Sequence, residues 1–338
     1  MVNKNKRDSR RRPGSHRKGS LLLAVDIGGT KVEAGLINAQ GRIIFSGRSP
    51  MMANGSASEG LRAVRETTDQ VMLHPRAREI RAIGIAVPGW VDGNSGTVLK
   101  AANLPCWHNY PLARKLRDLY ALPICVENDA SAAAIAEAKW GAGRRYRDFF
   151  YVSLGTGIGT GIVQNTPAAS RPDSSEGGHM TINFRGPRCP CGKRGCVEMY
   201  ASGKALARRA KFLIAKPGAS KSLLAKLAKE NHGGIKAELV GRAAAAGDPL
   251  AIKILEEACD HLAVWLGNII DLLEPEAIVI GGGLGRLISS YAPRIRRSLK
   301  ELAIHPSGGQ VRIVKAQFGS QSALLGAAAL WLRNQHIS

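Results

Sequence analysis

Twice in this chain an apolar, strand-like run breaks on a short turn of glycine and threonine and then resumes as a second strand. Leu21 to Ile27 meets Gly28-Gly29-Thr30 and continues from Val32 to Ile37, and Phe149 to Leu154 meets Gly155-Thr156-Gly157-Ile158-Gly159 and continues from Gly161 to Val163. A unit that recurs this way points to two similar α/β halves, and 338 residues suit about two domains of roughly 150 residues each. Halves that face each other would close both turns around one chain of phosphates.

The turns themselves have the chemistry for it. Glycines allow positive φ and close backbone approach, Thr30 adds a hydroxyl donor, and Asp26 at a strand end can hold Mg²⁺ through water, with Lys31 directly after the turn. Neither run has the Walker spacing with its terminal Lys-Ser/Thr, and neither is a dinucleotide fingerprint, which needs a helix directly after the glycines. A single Gly-Gly-Thr is equally an ordinary hairpin turn. A third loop, Gly281-Gly282-Gly283 to Gly285, follows a strand over Ala277 to Ile280 and opens a helix, which suits an α-phosphate or ribose. Three such loops favour a nucleotide.

Between these landmarks the pattern predicts a strand at Arg42 to Phe45, helices at Glu59 to Met72 and Pro111 to Tyr120, and strands at Ile80 to Val87 and Ile124 to Val126. An Ala-dense helix runs from about Ala130 to Trp140. Further helices are expected at Ala205 to Ala215, Leu223 to Ala246 and Pro249 to Leu273, and a last one at Ser322 to Arg333. The division is an N-terminal α/β domain over 21–143, to which a final helix at 321–335 returns, and a C-terminal α/β domain over 144–320. The apolar stretch Ala258 to Ile270 is either a dimer or tetramer face or plain core.

Composition bears on the partner. Lys and Arg outnumber Asp and Glu by 48 to 26, for a net +22, which invites a polyanion but argues only about solubility and nonspecific binding. Eight of the cations precede Leu21 and face Asp8 alone, so residues 1–20 read as a disordered basic arm. The apolar run after it stops at Asp26 after five residues, short of a signal-peptide core, and nothing approaches a membrane span; the chain reads as cytoplasmic.

Cys189-Pro190-Cys191-Gly192-Lys193-Arg194-Gly195-Cys196 packs three thiols into eight positions, with His179 ten residues upstream. Three soft thiolates and one imidazole make a tetrahedral zinc set with every position filled by protein, hence a structural Zn²⁺ site. Cys106, Cys125 and Cys259 stand alone and read as small core residues. Asn128-Asp129 closes a strand and opens a helix, so Asp129 is either a helix N-cap or a general base for an attacking hydroxyl. Glu176 and Glu198 flank the thiol cluster, which would fix two carboxylates and the His179 imidazole relative to one another, a set suited to vicinal hydroxyls. Asn103, before Leu104-Pro105, is a further candidate or a turn residue.

Asp26 to Lys31, Asn128-Asp129-Ala130, Leu154 to Gly159, Glu176-Gly177-Gly178-His179 and the Cys189 to Glu198 knot together resemble the ROK family of repressors and sugar kinases, over about Leu21 to Leu332. The resemblance implies an actin-like, ribonuclease-H-type two-domain fold with ATP·Mg²⁺ in the cleft and a hexose, glucose foremost, phosphorylated on its 6-hydroxyl. By position Asp129 looks like the family's catalytic base, and Asn103, Asn128, Glu176, His179 and Glu198 look like its sugar contacts. Family repressors carry a winged helix-turn-helix before the first glycine turn; only about twenty residues precede it here, too few for that unit. The enzyme reading is therefore preferred to a sugar-responsive regulator that uses the basic arm on nucleic acid, and ATP is preferred to polyphosphate as donor. Three positions depart from the family pattern. The segment Ala168 to Ser175 replaces a glycine-rich stretch, Cys106 stands where Gly is frequent, and Ser131 where Asn is common. The first borders the sugar and leaves N-acetylmannosamine, N-acetylglucosamine and fructose as alternative acceptors.

Overall fold

Leu21–Ile27 is apolar at nearly every position because this strand, β1, is central and covered on both faces. The computed structural model describes residues 21–164 and 175–334; the basic arm and most of the altered segment before Glu176 lie outside them. β1 pairs antiparallel with β2 (Lys31–Asn38), and β2 with β3 (Ile43–Pro50), which runs five residues past the strand expected from sequence. The chain then forms α1 (Ala57–Met72), whose N-cap Ser56 and Glu59 make a reciprocal capping box. It returns as β4 (Ile80–Val87), parallel to β1. A small antiparallel sheet follows, of β5 (Trp90–Asp92), β6 (Thr97–Lys100) and β7 (His108–Tyr110), then α2 (Leu112–Tyr120) and β8 (Ile124–Asn128), parallel to β4. The first sheet thus has the order β3-β2-β1-β4-β8, and its three parallel strands end together at Asp26, Val87 and Asn128. The carboxyl edge of parallel strands is where an open α/β sheet holds its ligand.

α3 (Asp129–Trp140) leads from β8 to the second sheet, of β9 (Phe149–Leu154), β10 (Ile158–Val163), β11 (Ala277–Gly281) and β12 (Arg312–Lys315) in the order β10-β9-β11-β12. Between β10 and β11 lie α4 (Glu198–Ala201), α5 (Gly203–Ile214), α6 (Leu223–Glu230), α7 (Ala237–Ala245) and α8 (Pro249–Leu273). α9 (Gly285–Ser289) and α10 (Ala292–Leu302) precede β12, and α11 (Ser322–Asn334) closes the described chain. The single helix expected over Leu223 to Ala246 is two, because Asn231-His232-Gly233-Gly234 breaks it and Gly234 adopts a φ of +78°. The apolar face of α8 from Ala258 to Ile270 is buried within the chain, against Phe150, Leu206 and Ile278 among others, and is core.

α11 packs on the first sheet and on α3, burying Leu324, Leu325, Ala327 and Ala328 with Leu22, Ala24, Ala82 and Ala132. Two glycines set that approach. A methyl group at Gly84 would overlap the Ala327 carbonyl, and one at Gly326 would overlap the Ala132 carbonyl. Among the described residues no helix is long and apolar enough to cross a membrane.

Candidate active site

The first turn begins at Asp26, the last residue but one of β1, and is closed by the Gly28 amide donating to the Lys31 carbonyl at 2.8 Å. Its apex lies against the loop that carries Asn103: a Cβ on Gly29 would stand 2.8 Å from the Asn103 carbonyl oxygen, and buried Leu104 anchors that loop with the Asn103 side chain exposed. Lys31 does not stand alone. Its ammonium reaches Glu33 at 3.2 Å, and Arg48 reaches the other oxygen of the same carboxylate at 2.8 Å. Glu33 is buried, and although desolvation acts upward on its pKa, the Arg48 and Lys31 hydrogen bonds bring it below the ordinary value. Glu33 was missed in the sequence; its mark there is an acid in a run that otherwise alternates as a covered strand.

Across the strand ends, Asn128 and not Asp129 is the N-cap of α3. The Asn128 side-chain oxygen accepts from the Ala130 and Ser131 amides at 2.9 and 3.1 Å, and its amide donates to the Gly89 carbonyl at 2.9 Å. Asn128 is therefore occupied in fixing the β4 and β8 ends, with one side-chain N–H to spare. Relieved of capping, Asp129 at the first helical position accepts from backbone amides beside it, that of Ala130 at 2.8 Å and its own. Desolvation raises its pKa. Asp26 is raised as well, to about 7, first by desolvation and then by the Asp129 charge, with Lys31 acting in the opposite direction. These two carboxylates feel each other across the edge of the sheet.

The second turn is brought to the same place. β10 crosses the start of α3 so closely that a Cβ on Gly159 would lie 2.8 Å from the Ala130 Cβ. The Gly155 carbonyl accepts from the Gly203 amide at 2.8 Å, and the Leu154 carbonyl from the Leu284 amide at 2.8 Å. Gly282, at φ +78°, has no room for a side chain beside Leu154. So Gly155-Thr156-Gly157 and Gly281-Gly282-Gly283 adjoin, with α5 beginning against Gly155. Glu198 backs the turn by accepting from the Ile158 amide at 2.8 Å.

Glu176 completes the group. The Gly177 amide donates to the Thr160 hydroxyl at 2.9 Å, and that hydroxyl donates to the Ser175 carbonyl at 2.6 Å, tying this segment to β10. Desolvation raises the Glu176 pKa; His179 acts against that rise, and the charges of Asp129 and Glu198 add to it. Asp26, Asp129, Glu176 and Glu198 thus converge from the two sheets.

His179, Cys189, Cys191 and Cys196 place their donor atoms within 4.8 Å of one another. The Cys191 and Cys196 sulfurs are 3.7 Å apart and Cys189 Sγ is 3.4 Å from His179 Nδ1. Zn–S bonds of about 2.3 Å in a tetrahedron separate sulfurs by about 3.8 Å, so the donor set fits one zinc ion. The loop depends on Gly195, at φ +64°, where any side chain would run into the Asn183 carbonyl. Of the three remaining cysteines Cys259 is buried, while Cys106 and Cys125 are half-buried.

The model of the ROK family matches residues 22–334. The chain belongs to the ROK family. A glucokinase from Streptomyces coelicolor is 34% identical over 325 residues, covering 92% of this chain and 97% of its own. Among solved structures, a ROK family glucokinase from Streptomyces griseus in complex with glucose and AMPPNP superposes with a TM-score of 0.80 at 33% identity, over 92% of this chain and 99% of that one. A ROK family transcriptional regulator, a homologue of the Escherichia coli MLC protein, superposes with a TM-score of 0.81 at 26% identity, over 94% of this chain and 79% of the regulator. This ROK protein therefore has the α/β two-domain fold of the family's sugar kinases.

Proposed function

We propose that this ROK protein is an ATP-dependent hexokinase that transfers the γ-phosphoryl group of ATP to the 6-hydroxyl of glucose. The observation that carries the reading is the pairing of Asp129, a carboxylate freed from capping and raised in pKa, with Asp26 at the foot of a glycine turn. The kinship to glucokinases over nearly the whole chain supports the same activity. In this reading residues 21–143 with the final helix form one lobe and 144–320 the other.

Phosphoryl transfer asks for positioning and charge stabilisation more than for covalent catalysis. Asn103, Glu176, His179, Glu198 and the spare N–H of Asn128 hold the sugar hydroxyls, with carboxylates accepting and the amides donating. Asp129 accepts the proton of the 6-hydroxyl as that oxygen bonds to the γ-phosphorus; the bond from phosphorus to the bridging oxygen breaks, and ADP leaves with that electron pair. A raised pKa suits Asp129 to hold the proton once transferred. With the Gly28 and Gly155 amides spent on closing their own turns, the backbone N–H groups of Gly29, Thr30, Thr156 and Gly157 face the phosphates, and Gly281 to Gly283 the nucleoside end. Asp26 would hold Mg²⁺, whose charge would offset the Asp26–Asp129 repulsion and neutralise phosphate oxygens. His179, Cys189, Cys191 and Cys196 would hold a structural Zn²⁺ that braces Glu176 and Glu198.

The test is a panel of glucose, mannose, fructose, N-acetylglucosamine and N-acetylmannosamine with MgATP or polyphosphate as donor, followed by coupled ADP detection and by assay of the sugar phosphate. Glucose 6-phosphate formed from ATP is the expected product; no sugar phosphate from any member would overturn the reading.

A further inference from the structure

Glu137 is fully buried, yet no lysine or arginine pairs with it among the described ion pairs. What it has instead is four hydrogen-bond donors. Oε2 accepts from the Ala142 amide at 2.8 Å and the Gln317 amide at 3.0 Å; Oε1 accepts from the Phe318 amide at 3.0 Å and the Ser322 hydroxyl at 3.4 Å. Three backbone amides hold the carboxylate firmly, and the Ser322 hydroxyl shares its single proton between Oε1 and the Gly319 carbonyl, at 3.0 Å.

The donors are placed where the two halves join. The chain passes between the two sheets at 141–148, after α3, and at 316–321, before α11. Ala142 belongs to the first crossing, Gln317 and Phe318 to the second, and Ser322 starts α11. One side chain thus fastens both crossings to α3, the helix whose first residue is Asp129. The link continues: the Tyr151 hydroxyl on β9 lies near Ser322 and Glu137, and it fills the space a side chain at Gly281 would take, at the head of the third glycine loop.

We propose that Glu137 is a positioning residue that fixes the angle between the two sheets, and with it the distance from Asp129 to the glycine loops of the second sheet. The proposal rests on the kinase reading above. A bare packing role would show only in stability. A positioning role shows in kcat more than in KM, since a misplacement of about 1 Å from a remote change can slow a reaction roughly 100-fold while the sugar keeps its contacts to Asn103, Asn128 and Asp129 on the first lobe.

The experiment compares the full-length wild type with Glu137→Gln, in which the NH₂ group faces at least one backbone N–H donor in either amide orientation, at a temperature well below either melting midpoint. The expected result is a kcat for glucose phosphorylation lower by roughly 10- to 100-fold with the glucose KM within about threefold. Gly141→Ala is the second variant, for the case that Glu137→Gln does not fold. Its methyl would collide with Glu137 Oε2 and displace the carboxylate without altering it. The same fall in kcat is expected. An active wild type with unchanged kcat in the folded variants would overturn the proposal and leave the kinase reading standing; a wild type inactive on every hexose would overturn both.

Discussion

His179 presents Nδ1 to the Cys189 sulfur at 3.4 Å and Nε2 to the Glu176 carboxylate at 3.9 Å, so a single imidazole joins the thiol cluster to an acid of the candidate sugar site. If the ring is a zinc ligand through Nδ1, the proton on Nε2 is directed at Glu176, an outer-sphere carboxylate of the kind that orients metal-bound histidines.

That relationship gives the first prediction. Purified protein is expected to carry about one zinc per chain by atomic spectroscopy. Cys191→Ser should lose the metal and raise the glucose KM by roughly 10-fold or more, in line with the 10–100-fold range for disturbed metal surroundings, with a smaller change in the ATP KM. Zinc-free wild type with full sugar affinity would contradict it.

Asp26 governs a pH effect. Its pKa, raised to about 7 by desolvation and by the Asp129 charge, means the nucleotide-free folded chain holds a proton there that the unfolded chain has released near pH 4. Stability from this group is therefore full below about pH 4 and is lost as pH rises through about 7. The Tm of the nucleotide-free Asp26→Asn variant is expected to fall less between pH 5 and 8 than that of the wild type, and to exceed it at pH 8. Turnover should drop by roughly 100-fold or more, because stability gained by removing a strained active-site charge comes at the cost of activity. Parallel Tm curves would count against this assignment.

Glu33→Gln tests the Lys31–Glu33–Arg48 group. Lys31 loses its anchor beside the first glycine turn, so the ATP KM is expected to rise by roughly 3- to 10-fold, about 1 kcal/mol, while the glucose KM holds. An unchanged ATP KM would remove Lys31 from the phosphate site.

Gly84→Ala probes the close seating of α11 on β4. The added methyl meets the Ala327 backbone, which cannot rotate away, and the expected loss of stability is about 3 kcal/mol, read from chemical denaturation. A loss under about 1 kcal/mol would mean that α11 is free to move outward.

Much of this was legible in the sequence, for reasons that differ by element. β1, β4 and β9 are covered on both faces and read as near-continuous apolar runs. The thiol cluster was legible because Cys189, Cys191 and Cys196 sit in one tight loop, and His179 comes to them through the bridge between Thr181 and Cys196. The α3 cap was not, since Asn128 and Asp129 are adjacent and both are preferred N-cap types; only the backbone geometry chooses between them. Glu137 and Glu33 were hidden for a related reason. A lone acid in a helix or strand is usually solvated, and what buries these two comes from segments distant in sequence, Gln317 to Ser322 for one and Arg48 for the other. α10 and β12 were also unread: α10 is strongly basic outside its buried Ile295 and Leu299, and β12 is four residues long with one buried residue, Ile313.

At the centre of the proposed reaction Asp129 takes the proton from the sugar. Its most direct test is the Asp129→Asn variant, measured for glucose phosphorylation by coupled ADP release and for glucose binding by calorimetry. The expected result is a kcat lower by about 10²- to 10⁴-fold with glucose affinity within a few-fold of wild type. Turnover within about threefold of wild type would contradict the assignment.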